Sequence, residues 1–373
     1  MSKPNRTKLY AIIAIAIVAI AAISGVAYYY VTTAQPVTPK LLNVAVLLYG
    51  TVGDYGYTYE NHLAAVRLKA LLNYTNVVEV ENVMGPDAPV IMRQYAERGY
   101  DIVICTSWSF GDYIVDIAPL YPKVTWCWLS GVPNYKGMNA TTYPNVAYLG
   151  GDSGELGFLL GLVAGKITKT NKIGYAAAMR IPSFVEVIEG FARGVNVTNP
   201  SAMVYVNWIG TFYDPPAEKE AARALLESGC DVVAHFTDSP SPGVAVQDWY
   251  ARTGQQVYFI SMHADTRMFA PDVYLTGLEW NFIAQYKAVV EMIHNGTLHS
   301  YVGASGEGND FWFGLKEDAF RMTPYSSLVP KDVQDLVATY KQRIINGSYV
   351  VFPGMTVQQK RTLMTLGPNV VAP

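Results

Sequence analysis

Gly50-Thr51-Val52-Gly53-Asp54-Tyr55-Gly56-Tyr57-Thr58-Tyr59-Glu60-Asn61-His62 lies between two apolar segments, Leu41 to Tyr49 and Leu63 to Leu72. The first reads as a buried parallel strand, and the Leu63/Val66/Leu68/Ala70/Leu71 spacing of the second reads as an amphipathic helix. The stretch is therefore the loop of a strand-loop-helix unit, the building block of an open α/β sheet. Such a loop sits at the carboxyl edge of the strands, where backbone N–H groups and a helix N-terminus can meet a ligand. Three glycines allow close backbone approach, Asp54 accepts hydrogen bonds, and Tyr55, Tyr57 and Tyr59 offer flat faces with polar tips. A tight turn that caps a helix, with locally packed tyrosines, fits the same residues, so both readings stand here. The glycines are spaced GxxGxxG, without the GxGxxG or GK[ST] pattern of a phosphate cradle, which turns attention to a planar, uncharged ligand.

Downstream, strands and helices alternate. Strands are expected at 77–83, 101–106, 124–129 and 145–149, with helices at 89–98 and 111–120. A second round follows: helix 155–167, strand 172–178, helix 184–196, strand 202–208, helix 216–228, strand 231–236, helix 243–253 and strands 256–261 and 273–278. Right-handed crossovers at this spacing build parallel sheets, and two successive rounds predict two doubly wound lobes facing each other across a cleft. The helix 281–295, the strand-like 311–315 and the helix 331–346 are expected to carry the chain between them. We assign 41–149 and 276–303 to lobe 1 and 150–275 and 304–373 to lobe 2.

Upstream, Lys3, Arg6 and Lys8 precede an apolar run from Leu9 to Val31 that ends in Tyr28-Tyr29-Tyr30. The run is long enough to cross a bilayer, and its basic flank predicts a cytoplasmic tail at 1–8, a transmembrane anchor or signal at 9–31 and an outward-facing remainder. It exceeds a usual signal core, so an uncleaved anchor is expected over a cleaved peptide. No cysteine precedes Cys105, which argues against an N-terminal lipidated cysteine. Residues 32–40, with Pro36 and Pro39 among small polar side chains, read as an extended tether.

A net charge of −3 with 15% charged residues, and no basic patch interleaved with aromatics, argues against a nucleic-acid partner. Cys105, Cys127 and Cys230 lie in strand-like runs at spacings that fit no zinc site, so buried free thiols are expected, with one disulfide as the alternative that an exterior compartment permits, and no metal or cofactor is implied. Asn73, Asn139, Asn196, Asn295 and Asn346 begin Asn-x-Ser/Thr triplets, consistent with an exported surface.

Nearly every predicted strand ends in an aromatic, a carboxylate or both. Besides Asp54, Tyr57 and Tyr59 these are Trp108 with Asp112, Arg180 in Met179-Arg180-Ile181-Pro182, Trp208 with Phe212 and Asp214, Asp238, His263 with Asp265, and Trp280. One cleft lined by strand ends accounts for all of them. Site by site, other roles compete. Asp214-Pro215 and Asp238-Ser239-Pro240 are also helix-start signals, Trp208 and Trp280 suit a lobe core, and His263 alone suits a satisfied buried histidine.

From Val44 to about Phe352 the chain resembles the basic membrane protein family, the extracytoplasmic substrate-binding components of ABC importers for purines and nucleosides. The resemblance runs through Gly53-Asp54-Tyr55-Gly56-Tyr57-Thr58-Tyr59, Thr106-Ser107, Tyr148 to Gly165, Asn171 to Tyr175, Ile181-Pro182, Thr211 to Pro215 with Glu218-Lys219-Glu220, and Thr237 to Pro240. It implies a type I periplasmic-binding-protein fold, monomeric, closing on a purine base or nucleoside and serving an ABC permease. Tyr57 and Asp54 stand at motif positions that stack on the base and accept its donors; Trp108, Asp214, Asp238, Asp265 and Trp280 match other cleft positions. Two departures stand out: Tyr57 replaces the tryptophan usual in this branch, and Ser261 to Asp265 replaces G-Y-D-x-D, so that His263 stands where a carboxylate is common.

An enzyme would need a positioned nucleophile or metal cluster, and no HExxH, GxSxG or close Asp cluster occurs. A sensory receptor would need more than an eight-residue tail on the cytoplasmic side. A sugar or amino acid is the alternative ligand, the latter requiring a paired cation and anion that only Arg180 hints at.

Overall fold

The computed structural model describes residues 41–303 and 305–372; the expected tail, anchor and tether at 1–40 lie outside the described residues. No helix among the described residues is long and apolar enough to cross a membrane. Residues 42–373 form one compact unit.

The first sheet is parallel throughout, with strands Leu42–Leu47 (β1), Thr75–Val80 (β2), Ile102–Cys105 (β3), Thr125–Leu129 (β4), Val146–Gly151 (β5) and, much later in the chain, Asp310–Phe313 (β11). Its order is β11-β5-β4-β3-β1-β2. Helices Tyr57–Leu71 (α1), Ala88–Glu97 (α2) and Gly111–Ile117 (α3) connect its strands. β1, β3 and β4 are buried almost throughout, the run of apolar residues expected where helices cover both faces.

The second sheet contains Lys172–Ala177 (β6), Met203–Trp208 (β7), Val232–Phe236 (β8), Tyr258–Ser261 (β9), Tyr274–Trp280 (β10), Phe320–Met322 (β12) and Val370–Val371 (β13), ordered β12-β10-β9-β8-β6-β7-β13. All pairs are parallel except β10 with the edge strand β12. Its helices are Ser153–Ile167 (α4), Pro182–Thr198 (α5), Pro215–Glu227 (α6) and Ser241–Thr253 (α7). Ile283–His294 (α8) returns to the first lobe, where Phe282, Tyr286 and Val290 join the core of β1, β3 and β5. Lys331–Ile345 (α9) and the short Val357–Arg361 (α10) follow β12.

α4 and α5 cross with their backbones nearly touching. A Cβ on Gly157 would lie 2.1 Å from the Val187 carbonyl oxygen, and one on Gly161 2.0 Å from that of Phe191. Only hydrogen fits there, and the contact brings the first turns of both helices, with Ser153 and Ser183, to the same end of the second lobe.

Three differences from the sequence reading have local causes. α1 starts at Tyr57 rather than Leu63, because Asp54 supplies the side-chain acceptors that its first turn needs; its buried face is Asn61, Ala64, Ala65 and Leu68, while Val66 and Leu71 stay exposed. β10 stays in the second sheet to Trp280, so the chain returns to the first lobe there and not at 276. Residues 310–313, assigned to the second lobe, are the edge strand of the first, since β5 offers an open parallel edge and Phe311 fills that lobe's core. α10, β12 and β13 were not anticipated; each is short and lacks a periodic signal.

Candidate ligand-binding site

The C-terminal end of every strand from β1 to β10 contributes to one cavity of about 350 Å³ between the two sheets. From the first lobe come Tyr49, Asp54 and Tyr57 after β1, Met84 after β2, Trp108 after β3 and Ser130 after β4. From the second come Phe184, Phe212, Phe236, Asp238, His263 and Trp280. Among the described residues that line it there are two carboxylates and neither Lys nor Arg.

Rings dominate the walls. Phe184 and Phe236 stack at 3.9 Å with planes 18° apart, and Trp280 stacks between His263 at 6.1 Å and Phe282 at 5.2 Å. Tyr57 meets these last three edge-on, at 5.8 Å from His263, 6.1 Å from Trp280 and 5.2 Å from Phe282. Offset and edge-to-face arrangements of this kind stiffen a ring wall.

Asp54 is 4% exposed, and both of its carboxylate oxygens face the start of α1. Oδ1 accepts from the Gly56 and Tyr59 N–H groups at 2.8 and 3.0 Å, and Oδ2 from the Thr58 N–H at 3.0 Å. Burial raises its carboxyl above the ordinary range, and the Asp238 carboxylate adds to the rise. Asp54 is thus first the cap of α1, and the Thr58 side chain bonds its carboxylate as well.

The same loop touches the opposite lobe. A Cβ on Gly56 would come 2.7 Å from the Asp238 carbonyl oxygen and 3.0 Å from its carbon. Tyr55 packs edge-on against Phe269 at 5.4 Å, and Tyr49 against Phe212 at 6.4 Å.

His263 is 1% exposed and holds a left-handed backbone, φ +71°. Its Nδ1 accepts the Trp280 indole N–H at 2.6 Å, so the ring proton belongs on Nε2, which lies 3.3 Å from Asp238 Oδ1. Asp238 is left with most of its acceptor capacity facing the cavity.

Beneath Asp238 runs a chain of buried groups. The Met262 N–H donates to His235 Nε2 at 3.0 Å, His235 Nδ1 meets Thr237 Oγ1 at 3.0 Å, and Thr237 Oγ1 donates to Glu218 Oε2 at 2.7 Å. Ser239 donates to the same oxygen. Burial, reinforced by His263, pushes His235 down to about 3, so it stays neutral. Every link has its partner, and the 237–239 turn that presents Asp238 is held from below.

A smaller chamber of about 110 Å³ shares Tyr57, Trp108, Ser153, Ser183 and Trp280 with the main cavity and ends at Glu186, Gln285, Trp312 and Arg361. It adjoins the interlobe crossings, where Asp152 pairs with Lys360 and Asp310 with Arg361. Glu155 accepts the Leu315 N–H at 2.9 Å there. Burial, with Asp152 nearby, raises Glu155 to about 7 and drives Glu186 well above the ordinary carboxyl range.

Of the residues expected from sequence, Asp54, Tyr57, Trp108, Phe212, Asp238, His263 and Trp280 line the main cavity. Tyr59, Asp112, Arg180, Trp208, Asp214 and Asp265 do not. Tyr59 packs on Tyr55 at 5.7 Å. Asp112 is exposed and binds Lys136 and Tyr135. Arg180 is exposed at the lobe surface, and Trp208 packs against the second-lobe core. Asp214 accepts from the Ala217 N–H at 3.0 Å and caps α6, and Asp265 pairs with Arg267 at 2.7 Å. Phe184 and Phe236 were missed, although Phe236 directly precedes Thr237-Asp238 and Phe184 follows Ile181-Pro182, both within recognised strand ends. Among the described residues no cluster of His, Cys, Asp and Glu could hold a metal, and the three cysteines are buried and free.

A family model described as ABC transporter substrate-binding protein PnrA-like matches residues 41–351. A purine-binding protein of Brucella abortus is 29% identical over 324 residues, 85% of each chain. A putative ABC transporter glucose-binding protein of Haloferax volcanii is 28% identical over 319 residues, 86% of this chain and 76% of that one. Among solved structures, an ABC transporter solute-binding protein from Conexibacter woesei superposes with a TM-score of 0.63 at 25% identity, covering 84% of this chain and 99% of its own. Another from Aeropyrum pernix gives 0.69 at 19% identity, over 84% and 94%, a likeness of fold.

Proposed function

This chain belongs to the PnrA-like family of ABC transporter substrate-binding proteins, and from that premise we propose that it captures a purine base or nucleoside between its lobes and delivers it to a membrane permease. One observation carries the reading: ring faces from both lobes enclose a cavity whose described lining holds two carboxylates and no Lys or Arg. A flat, uncharged, nitrogen-rich ligand matches such walls. Stacking on aromatic side chains contributes about 1–3 kcal/mol per base. Asp238 accepts N–H or ribose O–H donors, bonds to a charged group worth roughly 1.5–3 kcal/mol each. A free amino acid fits poorly, since its carboxylate would face Asp54 and Asp238 with no cation in the lining to meet it.

In this reading Tyr57, Trp108, Phe184, Phe212, Phe236 and Trp280 form the ring walls, and Asp238 is the carboxylate that meets the ligand's donors. Residues 9–31 anchor the protein with the binding lobes outside the cytoplasm, and it acts as a monomer. The ligand leaves unchanged, so incubation with a nucleoside returns it intact.

A hexose is the second reading, favoured by the relative from Haloferax volcanii and by the mix of rings, carboxylates and hydroxyls that sugar sites also use. The test is titration calorimetry on the full-length chain in detergent, unfolded and refolded to remove carried-over ligand, against guanosine, inosine, adenosine, adenine, ribose and glucose. Tight binding of a purine or nucleoside is expected. Binding of glucose or ribose with no purine bound would overturn the proposal.

A further inference from the structure

The seam where the start of α1 meets the second lobe sets carboxylates against carboxylates. On the first lobe stand Asp54 and, in the first turn of α1, Glu60; on the second stand Asp238 after β8 and Glu279 near the end of β10. α1 packs against β10 beside the contacts of Gly56 with Asp238 and of Tyr55 with Phe269. Each first-lobe carboxyl feels the charge of one from the second lobe, Asp54 that of Asp238 and Glu60 that of Glu279. Like charges across a closing surface oppose its closure.

Asp54 is held by the N–H groups of Gly56, Thr58 and Tyr59, all from its own loop and helix, so these bonds persist whether the lobes are together or apart. Glu60 has no such support. It is 6% exposed, and its carboxyl has neither a hydrogen bond nor an ion pair among the described residues. Arg67, further along α1, offsets its charge only from an exposed position. Across the seam, Arg267 and Arg321 act on Glu279 but are already paired, Arg267 with Asp265 and Arg321 with Asp318, and Asp265 adds a negative charge of its own. Burial first, then Glu279 and Asp54, push Glu60 up to about 8.

We infer that closing the lobes takes up a proton at Glu60, so that ligand is held more tightly in acid than above neutral pH. The inference rests on the reading that ligand is captured by closure between the lobes, and not on which ligand that is. When the lobes part, Glu279 withdraws and water reaches Glu60, whose carboxyl returns toward its ordinary value of 4.5. A carboxyl raised on closure stabilises the closed form fully below that ordinary value, and the contribution is lost as pH rises through about 8.

The test is calorimetry on the refolded full-length chain with whichever of guanosine, adenosine, ribose or glucose binds most tightly, at about pH 5.5, 6.5 and 8, each in two buffers of different ionisation enthalpy. The dependence of the heat on the buffer counts the protons taken up. Uptake of about one proton is expected near pH 6.5, with Kd at least about fivefold weaker at pH 8 than at pH 5.5. Glu60→Gln fixes the neutral form: it is expected to abolish the uptake and to hold Kd within about twofold across the range. Glu155 and Glu186 at the interlobe crossings are untouched by that substitution and cancel in the comparison. A merely structural role for Glu60 would lower Tm without moving the proton count. The count on the parent needs no variant, and Glu279→Gln, which removes the opposing charge, is expected to shrink the pH dependence even if Glu60→Gln fails to fold. No proton taken up by the parent, or an unchanged pH dependence in Glu60→Gln, overturns the inference and leaves capture standing. Binding of ribose or glucose without either nucleoside overturns the purine reading while the proton count still decides this one. Failure of all four to bind at any pH overturns capture by closure and this inference with it.

Discussion

Gly56 is the point where the loop of the first lobe rests on the backbone of the second, and adding one methyl group there tests whether lobe contact governs affinity. In Gly56→Ala the new Cβ would lie 2.7 Å from the Asp238 carbonyl oxygen, 3.0 Å from the carbonyl carbon and 3.2 Å from Cα. All three are backbone atoms, and the turn that carries them is fixed from below through Thr237, Ser239 and Glu218, so it cannot swing aside. The methyl group therefore separates the lobes at this point. Overpacking typically costs about 1–3 kcal/mol. Because the penalty falls on the closed arrangement and not on either lobe, it appears as a shift between open and closed forms, or roughly a 5- to 150-fold rise in Kd. Calorimetry with the best ligand of the parent, paired with thermal unfolding of the unliganded protein, separates the outcomes. We expect weaker binding with an unchanged Tm. Gly53→Ala is the control in the same loop, since its Cβ would meet only Thr51 Oγ1 at 3.8 Å. Unchanged affinity in Gly56→Ala would refute the reasoning, and so would a Tm lowered by several degrees, which would locate the strain within a lobe.

Tyr57→Ala should weaken nucleoside binding by about tenfold or more through the lost ring face, while Tyr57→Phe keeps most of the affinity; parity of the Ala variant with the parent would remove Tyr57 from the wall. Thr237→Val leaves His235 Nδ1 without its buried partner, while Glu218 Oε2 keeps Ser239, and is expected to cost about 1–3 kcal/mol, read as a lower Tm, with an unchanged Tm counting against the network. Glu155 supplies the pH test. Its folded carboxyl is raised to about 7, so the stability it contributes is fully present below its ordinary value near 4.5 and is lost as pH rises toward 7. Glu155→Gln keeps an acceptor for the Leu315 N–H and removes the titration. The Tm of Glu155→Gln minus that of the parent should grow between pH 5 and about pH 8, and a constant difference would show that Glu155 does not titrate in that window.

The alternation of strands and helices was legible because buried parallel strands leave long apolar runs, and β1, β3, β4, β6 and β8 all announce themselves this way. The cavity residues were legible for a related reason. Rings and carboxylates placed directly after such runs, as with Trp108 after β3 and Asp238 after β8, can only lie at the carboxyl edge of a sheet. What failed was the direction of a side chain within that edge. Asp214 and Asp238 have the same sequence signature, an aspartate before a helix that starts with proline nearby; Asp214 turns back to cap α6, while Asp238 lines the cavity and the Ser241 N–H at the start of α7 goes to Ser239 Oγ instead. Phe184 and Phe236 passed for core because a ring that lines a cavity and a ring that fills a core have the same sequence neighbours. Arg361 was invisible for a different reason. It stands on a five-residue helix far from any strand end and reaches the cleft only because the chain folds back over the crossings between the lobes.

The late arrival of β11 has a bearing on how the protein comes to be assembled. β5 pairs with β4 on one side early, but its other side waits for a partner that follows the entire run from α4 to β10. A chain growing from its N-terminus thus holds a nearly complete first sheet in which the outer ladder of β5 is bare in addition to the edge at β2, the geometry that recruits a neighbouring chain. Products interrupted anywhere in the second lobe should aggregate through that edge even though every earlier strand is present. A circular permutation that begins the chain just before residue 310 places β11 ahead of β1 and is expected to close the sheet early and relieve the hazard.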